Sequence, residues 1–303
     1  MGQLPVIAVV GATAAGKSDL AVELALRLGG EVINTDSMQL YEGMDIGTAK
    51  LSLQERRGVP HHLLDIWPVT RTASVAEYQR LARPLVEDLR SRGSAPVLAG
   101  GSGLYVRAVL DDLEFPGTDP DARERLEKEL AETGPAPLYD RLKSLDPVAA
   151  ENILPSNGRR IVRALEVIEL SGRPFSATMP SYDAVYDSVQ IGVEVPRPVL
   201  DERIELRVAR MWEAGLVDEV RALAARGLAE GRTAGRALGY AQVLRFLAGE
   251  WTEEQARAET VRATRRFARR QESWFRRDPR VVWLPFDAPD LADRAITVIT
   301  GAS

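Results

Sequence analysis

The segment that most constrains the fold is a short apolar run followed by a glycine-rich loop and a helix. Val6–Val10 is a continuous apolar run, typical of a buried parallel strand. Lys17–Leu28 carries leucines at helical spacing and stops at Gly29-Gly30. Where these two segments meet, Gly11-Ala12-Thr13-Ala14-Ala15-Gly16-Lys17-Ser18 fits G-x-x-x-x-G-K-S, the pattern of a phosphate-binding loop, or P-loop. This order predicts an α/β fold with a phosphate site after its first strand.

The residue types of this loop suit a di- or triphosphate. Glycines let successive N–H groups face phosphate oxygens, and the helix N-terminus adds partial positive charge. Lys17 would add a full charge, and the Ser18 hydroxyl would hold Mg²⁺, the cofactor that we expect. The motif is typical of nucleotide-binding and ATP-binding proteins, but it does not name the ligand. The alternative interpretation is a tight strand-to-helix turn that ends in Gly-Lys-Ser by coincidence.

Strands and helices alternate over the first hundred residues. Val32–Thr35 and Pro96–Ala99 are predicted strands, and Ser74 with Glu77 forms a capping pattern for a helix that runs toward Arg92. Such alternation predicts a doubly wound parallel sheet, with ligands at the carboxyl ends of the strands.

A helical stretch interrupts this pattern. From 116 to 187, Asp119-Pro120 and Asp146-Pro147 both read as helix starts, and an apolar stripe around Leu165 reads as a further helix. Strand signals return at Val189–Val195 and Val281–Leu284. We therefore predict a P-loop core domain over 1–115 and 188–303, with a helical insertion domain at 116–187.

Composition excludes several classes of chemistry. The chain has no cysteine, so disulfides, thiolate zinc sites, iron–sulfur clusters and cysteine nucleophiles are ruled out. Its two histidines, His61 and His62, are adjacent and lack metal-ligand spacing, which favours a structural role. No stretch of 18 apolar residues is present, so a membrane partner is not expected. We expect a cytoplasmic monomer.

Positive charge is concentrated although the net charge is −5. All but four of the 39 basic residues are arginine. Nine arginines against three acidic residues fall within 257–280, at spacings that give one face of a helix a basic stripe. This face is either a track for a nucleic-acid backbone or an ordinary solvated surface. The opposing residues Phe267, Gln271 and Trp274/Phe275 are expected to face inward.

Other parts of a standard nucleotide-hydrolysing enzyme are missing. No Asn-Lys-x-Asp motif for a guanine base occurs, and the strand near residue 100 ends in Gly100-Gly101-Ser102-Gly103 rather than in an aspartate. The acidic residue nearest the loop is Asp36, after the second strand, where it would face the phosphates. Its alternative role is an N-cap for the next segment.

A second set of arginines has helical spacing. Arg203, Arg207 and Arg210 recur at i, i+4 and i+7 and would line one helix face. Guanidinium groups can neutralise charge that develops on phosphate. The alternative is a solvated face, paired with the neighbouring acidic residues Asp201, Glu202 and Glu205.

Seven segments together resemble one family, the bacterial tRNA dimethylallyltransferases, also called tRNA isopentenyltransferases. The segments are Gly11–Ser18, Asp36–Tyr41, Gly43–Lys50, Pro60–Asp65, Gly100–Tyr105, Arg160–Glu166 and Gly239-Tyr240. The resemblance as a whole covers nearly all of the chain, from about Val6 to Leu284. The combination is specific to the family, whereas the P-loop alone is not.

The resemblance implies transfer of a dimethylallyl group from dimethylallyl diphosphate to N6 of adenosine 37 in the anticodon stem–loop of tRNA. The P-loop would then hold the diphosphate, Asp36 would be the general base, and Arg207 would contact the leaving diphosphate. The positions that match tRNA-binding residues of the family are Asp36, Ser37, Met38, Gln39, Ser102, Arg123, Arg159, Arg160, Arg163, Arg236, Gly239 and Tyr240. The sequence departs from the pattern at Ala241, where a basic residue is expected.

Two further hypotheses use the same residues. A small-molecule or nucleotide kinase would explain the P-loop and the arginines, but not Asp36–Tyr41 together with the Gly-rich strand end. A non-catalytic RNA-binding P-loop protein would use the basic stripe within 257–280.

Overall fold

The protein is described by a computed structural model, which covers residues 4–178 and 183–301. The described residues form six strands: β1 Val6–Val10, β2 Glu31–Asn34, β3 His61–His62, β4 Pro96–Ala99, β5 Ser188–Glu194 and β6 Val281–Pro285. Their α-helices are α1 Lys17–Leu28, α2 Val75–Ser91, α3 Gly103–Leu110, α4 Pro120–Thr133, α5 Pro135–Leu145, α6 Pro147–Asn152, α7 Gly158–Ser171, α8 Arg197–Glu213, α9 Leu216–Ala224, α10 Tyr240–Leu247, α11 Glu253–Phe275 and α12 Leu291–Thr300. None of these helices is long and apolar enough to cross a membrane.

All six strands run parallel in the order β3-β2-β4-β1-β5-β6. The first strand of the chain is thus near the middle, where Ile7 pairs with Val97 of β4 on one side and with Val189 of β5 on the other. The chain crosses from β1 to β2 and then returns to insert β4. This reversal makes the carboxyl end of β1 a topological switch point, where ligands of open α/β sheets bind.

Alternate side chains of β1 enter two separate cores. Ala8 belongs to a buried cluster with side chains of α2 and α3 on one face of the sheet. Val9 belongs to a second cluster with side chains of α1 and α8 on the other face. Because every residue of β1 is fully buried, both faces of the sheet are covered, and the predicted doubly wound architecture is confirmed.

The predicted strands and helices match the structure to within about one residue, while β3 is an addition. His62 of β3 pairs through Nε2 with a Glu31 oxygen at 2.6 Å, and His61 contacts the Val59 carbonyl through Nδ1 at 2.9 Å. Among the described residues no group of three or more acidic or histidine side chains forms a metal site. The two histidines therefore have the structural role that was predicted.

The chain divides into two compact units. The first comprises Met1–Leu110 with Ala184–Ser303 and contains the sheet, and the second comprises Asp111–Asp183. The second unit packs α4 to α7 around its own core, which includes Leu126, Leu142 and Leu165. Its helix starts are capped as the sequence predicts: Asp119 accepts from the Ala122 amide, and Asp146 from the Ala149 amide.

Candidate active site

The phosphate loop has the shape of an anion cradle. Gly16, the residue before α1, has φ 98°, a left-handed conformation that favours glycine. Ala14 also has a positive φ of 64°, a strained value for a residue with a side chain. The loop thereby turns back on itself before α1, and Lys17 Nζ donates to the Ala12 carbonyl at 2.6 Å. The lysine is thus held over the loop at the positive end of the helix.

Two positive side chains face each other here. Burial is the main cause that lowers the pKa of Lys17, the charge of Arg207 adds to the lowering, and Asp36 opposes it; the resulting pKa is about 8. Burial likewise lowers the pKa of Arg207, with Asp36 again opposing. Two cations brought together with little solvation create a site that is stabilised by an added anion.

Arg207 is the arginine of the α8 stripe whose charge acts on Lys17. Its guanidinium donates to the Thr48 carbonyl at 3.2 Å and forms no ion pair with a carboxylate of the described residues. Arg203 lies over the Phe286 ring at 5.1 Å, and Arg210 is exposed. The solvated-face alternative is therefore wrong for Arg207.

The acidic residues of α8 bind other arginines. Asp201 pairs with Arg197 at 2.6 Å, and Glu205 pairs with Arg265 of α11 at 2.8 Å. The first pair lies within α8 and the second joins α8 to α11, and both leave the charge of Arg207 available to a ligand.

A cavity of about 610 Å³ lies beside the cradle, and we call it the donor cavity. It is lined by Ala14, Gly16–Asp19, Asp45, Ile46, Ala49–Leu51, Glu55, Arg203, Leu206, Arg207, Arg210, Met211 and Ala214. The Ser18 hydroxyl is in this lining. Mg²⁺ typically takes few protein ligands besides phosphate oxygens, so a site at Ser18 next to a bound diphosphate fits this lining.

A second cavity of about 320 Å³, which we call the acceptor cavity, contains Asp36. Its lining is Thr13, Asp36–Met38, Gly47, Thr48, Ser102, Arg207, Val208, Met211, Thr233, Arg236–Leu238, Thr260, Thr264, Phe267 and Arg270. Arg207 and Met211 line both cavities. Of the phosphate loop, only Thr13 is in the acceptor lining. The two cavities are therefore neighbours. The Arg207 guanidinium lies between them, and the Asp36 carboxylate lines the acceptor cavity.

Asp36 is held by the backbone at the end of β2. Its Oδ1 accepts from the Met38 amide at 2.9 Å, and its own amide donates to Asn34 Oδ1 at 2.8 Å. Oδ2 has no hydrogen-bond partner among the described residues. The side chain thus caps the following turn, as one interpretation has it, and it lines the acceptor cavity rather than the donor cavity.

The loop between the two cavities is fastened by one carboxylate. Glu219 of α9 accepts from the amides of Asp45, Ile46 and Gly47 at 2.7–3.2 Å. Tyr240 donates its hydroxyl to the same carboxylate at 2.5 Å. This loop continues into Thr48, whose carbonyl receives Arg207.

Tyr240 therefore has an internal role. It is fully buried, and burial, followed by the charge of Glu219, raises its pKa well above the usual range. The side chain is not at a surface where it would meet tRNA, so the predicted contact through this side chain is corrected to support of the 45–47 loop. Gly239 is also buried, and its amide donates to Gln242.

Four of the other predicted tRNA-binding residues of the first unit meet in the acceptor cavity: Ser37, Met38, Ser102 and Arg236. Ser102 Oγ lies 3.3 Å from the Ser37 amide and 3.3 Å from its hydroxyl. Gln39 does not join them, because its side-chain amide donates to the Thr48 carbonyl at 3.2 Å. Ala241, where the family pattern expects a basic residue, follows Tyr240 in α10 and is partly buried.

The predicted tRNA-binding arginines of the second unit fall into two pairs. Arg123 and Arg163 both bind Glu166, which is fully buried. Burial alone would raise the pKa of Glu166, but the hydrogen bonds from these arginines outweigh it and lower the pKa. Arg159 and Arg160 are exposed and have no partner among the described residues. They are the pair whose charge is available to another molecule.

The basic stripe of α11 is mostly ion-paired. Arg262 and Arg266 bind Glu259, and Arg276 binds Glu194. Arg270 differs, because it lies 5.7 Å from the Phe267 ring and lines the acceptor cavity.

The predicted inward face of α11 is correct in part. Gln271 and Phe275 are buried, and Phe267 reaches the acceptor cavity. Trp274 is 39% exposed, so its predicted inward position is wrong. Glu219 was missed altogether, and Thr48 was noted only as part of the segment Gly43–Lys50, without its long-range contact to Arg207.

These features define a class: an α/β enzyme with a P-loop motif, whose cationic cradle suits an anion and lies beside a cavity lined by Asp36. The IPP transferase family matches residues 39–278. A tRNA dimethylallyltransferase of Thermobifida fusca is 71% identical over 299 residues, covering 97% of this chain and 94% of the relative. Another, from Streptomyces coelicolor, is 73% identical over 279 residues, with coverage of 92% and 89%.

Solved structures similar to this chain agree with the family match. A tRNA isopentenylpyrophosphate transferase from Bacillus halodurans is 42% identical with a TM-score of 0.72, covering 98% of this chain and 94% of its own. A eukaryotic dimethylallyltransferase acting on tRNA is 25% identical with a TM-score of 0.83, with coverage of 98% and 78%. The chain belongs to the IPP transferase family.

Proposed function

We propose that this chain is a tRNA dimethylallyltransferase, which moves a dimethylallyl group from dimethylallyl diphosphate to N6 of adenosine 37 and releases diphosphate. The observation that carries this proposal is the arrangement of the two cavities. Lys17 and Arg207 face an anion on the donor side, and Asp36 lines the adjacent acceptor cavity. A reaction that transfers an alkyl group from a diphosphate ester to an amine, with release of diphosphate, needs these two environments side by side.

The bond changes assign a role to each side chain. The C1–O bond of the donor breaks as the C1–N6 bond forms, and negative charge develops on the departing diphosphate. The loop amides, Lys17 and Arg207 stabilise that charge. The N6 amine is a weak nucleophile, because its lone pair is delocalised into the purine, and Asp36 accepts the proton that it loses. When bound, Mg²⁺ at Ser18 supplies further neutralisation of the leaving group.

The acceptor base has to leave its stack to reach Asp36. Extrusion costs a few kcal/mol, least for a base that is already in a single-stranded loop. The acceptor cavity offers Ser37, Met38 and Ser102 to the extruded base, with Arg236 and Arg270 for adjacent phosphates. In the second unit, Arg123, Arg159, Arg160 and Arg163 are the candidates for contacts with the tRNA stem. A cytoplasmic location suits an enzyme with this substrate.

In the direct test, the protein is incubated with Mg²⁺, dimethylallyl diphosphate and an anticodon stem–loop, and the mass of the RNA is measured by mass spectrometry. We expect one dimethylallyl group to replace one hydrogen of the RNA. A matched RNA with guanosine at position 37 should stay unmodified. ATP turnover without RNA would instead support the kinase alternative, which the family relatives do not favour. RNA binding without any product would support the non-catalytic alternative.

The pKa of Lys17 predicts how donor binding depends on pH. In the free protein this pKa is about 8, and a bound diphosphate raises it, because the added anion favours the charged amine. Above pH 8 the free protein therefore has to take up a proton to bind. We expect affinity for dimethylallyl diphosphate to fall with rising pH above about 8, by up to about tenfold per unit.

Calorimetric titration of the donor in the absence of RNA, from about pH 7 to about pH 9.5, measures this dependence. Lys17→Arg is the matched control, since arginine stays charged throughout this range. The affinity of this variant for dimethylallyl diphosphate should not change with pH. A wild-type affinity that does not change over the same range would contradict the prediction.

A further inference from the structure

Gln271 of α11 has no place in the mechanism above, yet it contacts the phosphate loop. Its Oε1 accepts from the Thr13 amide at 2.9 Å, and its Nε2 donates to the Gly101 carbonyl at 2.9 Å. The residue is 5% exposed. A buried amide with both ends hydrogen-bonded fixes the groups that it joins, because breaking either bond would leave a buried polar group unsatisfied.

The surrounding backbone is shaped around this amide. A Cβ at Gly101 would lie 2.1 Å from Gln271 Nε2, so only glycine lets the side chain approach the carbonyl at this position. The Thr13 amide can only donate and the Gly101 carbonyl can only accept, which determines which end of the amide faces which partner. A carboxylate could satisfy Thr13 but not Gly101, and an apolar side chain could satisfy neither.

One partner lines the acceptor cavity, and the other directly precedes a residue of its lining. Thr13 is the phosphate-loop residue in its lining, and Ser102, directly after Gly101, is in the same lining. Gln271 is not in the lining of either cavity. The Thr13 amide already donates to Gln271, so this donor is not available to an anion in the donor cavity.

We propose that Gln271 is a positioning residue, which holds Thr13 and Ser102 at the spacing that places the acceptor amine against the donor carbon. The proposal rests on the proposed function. Gln271 affects the alignment of the acceptor amine with the donor carbon, and its replacement leaves the cradle at Gly16–Ser18 intact. Gln271→Met should therefore lower kcat by about 10²-fold, the cost of a misplacement of about 1 Å, and should change the KM for dimethylallyl diphosphate by less than about threefold.

Gln271→Glu adds a signature that a merely structural role would not give. A protonated carboxyl can donate to Gly101 and accept from Thr13, as the amide does, whereas the ionised form loses the donor and adds negative charge near the diphosphate. The ratio of variant to wild-type kcat should therefore rise as the pH falls from about 8 to about 5.5. Gln255→Glu, on the exposed first turn of the same helix, is the matched control. Its ratio of variant to wild-type kcat should not change with pH.

Three outcomes distinguish a failure of the proposed function from a failure of the proposed role of Gln271. An inactive wild-type protein contradicts the proposed function itself. An active wild type with a Gln271→Met variant of normal kcat, or with a Gln271→Glu ratio that does not vary with pH, overturns the role of Gln271 alone. Calorimetric binding of dimethylallyl diphosphate by each variant checks that the cradle is folded, and loss of that binding would show a structural role and also overturn the proposal.

Discussion

Asp36→Asn should lower kcat by about 10²–10⁴-fold, because the side chain loses the ability to accept the N6 proton. The change keeps the size of the side chain, and the amide oxygen can still accept from the Met38 amide, so the end of β2 should keep its conformation. The donor cavity is lined by other residues, and affinity for dimethylallyl diphosphate should stay within about twofold of wild type. Single-turnover kinetics with the stem–loop, together with calorimetry of the donor, measure the two quantities separately.

Asp218→Asn serves as the control for this experiment. Asp218 is an exposed carboxylate of α9 that pairs with Arg221, away from both cavities, so its loss should leave the rate unchanged. A near-normal rate for Asp36→Asn would remove Asp36 from the role of base. A large loss of donor affinity would instead place it in the diphosphate site.

Arg207→Gln should lower kcat by about 10²–10³-fold, the usual effect of removing one group that stabilises charge in the transition state. The guanidinium lies between the two cavities without a carboxylate partner in the described part of the chain, so its charge is directed at the ligand. Lysine should not restore the rate, because it lacks the planar fork that can hold the Thr48 carbonyl and an anion together.

The measurement is the single-turnover rate of diphosphate release at saturating donor and RNA. Arg221→Gln, a change of the same kind at an exposed position of α9, is the matched control with an unchanged rate. An Arg207→Gln variant with the rate of wild type would assign this arginine to structure. The double variant with Lys17→Ala should lose less than the product of the two single effects, since both cations act on one anion.

The sequence by itself determined the core of the fold and the position of the glycine-rich loop between β1 and α1. Val6–Val10, Gly11–Ser18 and Lys17–Leu28 are contiguous, and each obeys a local rule of strand, turn or helix formation. Asp36 and Arg207 could also be singled out from the sequence, because Asp36 stands in a short family segment and Arg207 in a helical arginine pattern, and both can be read without knowledge of their neighbours in space.

The tertiary structure alone decided which residues support these groups. Thr13 and Gln271 are 258 residues apart, and Glu219 lies 172–174 residues from the amides that it binds. Helical periodicity places a residue on a face, but it does not state what that face meets, which is why Trp274 was assigned inward. Tyr240 was assigned to the RNA through the family resemblance, which does not reveal that its side chain is buried. Strand order and helix packing bring these distant side chains together, and those long-range contacts arise only when the whole chain has folded.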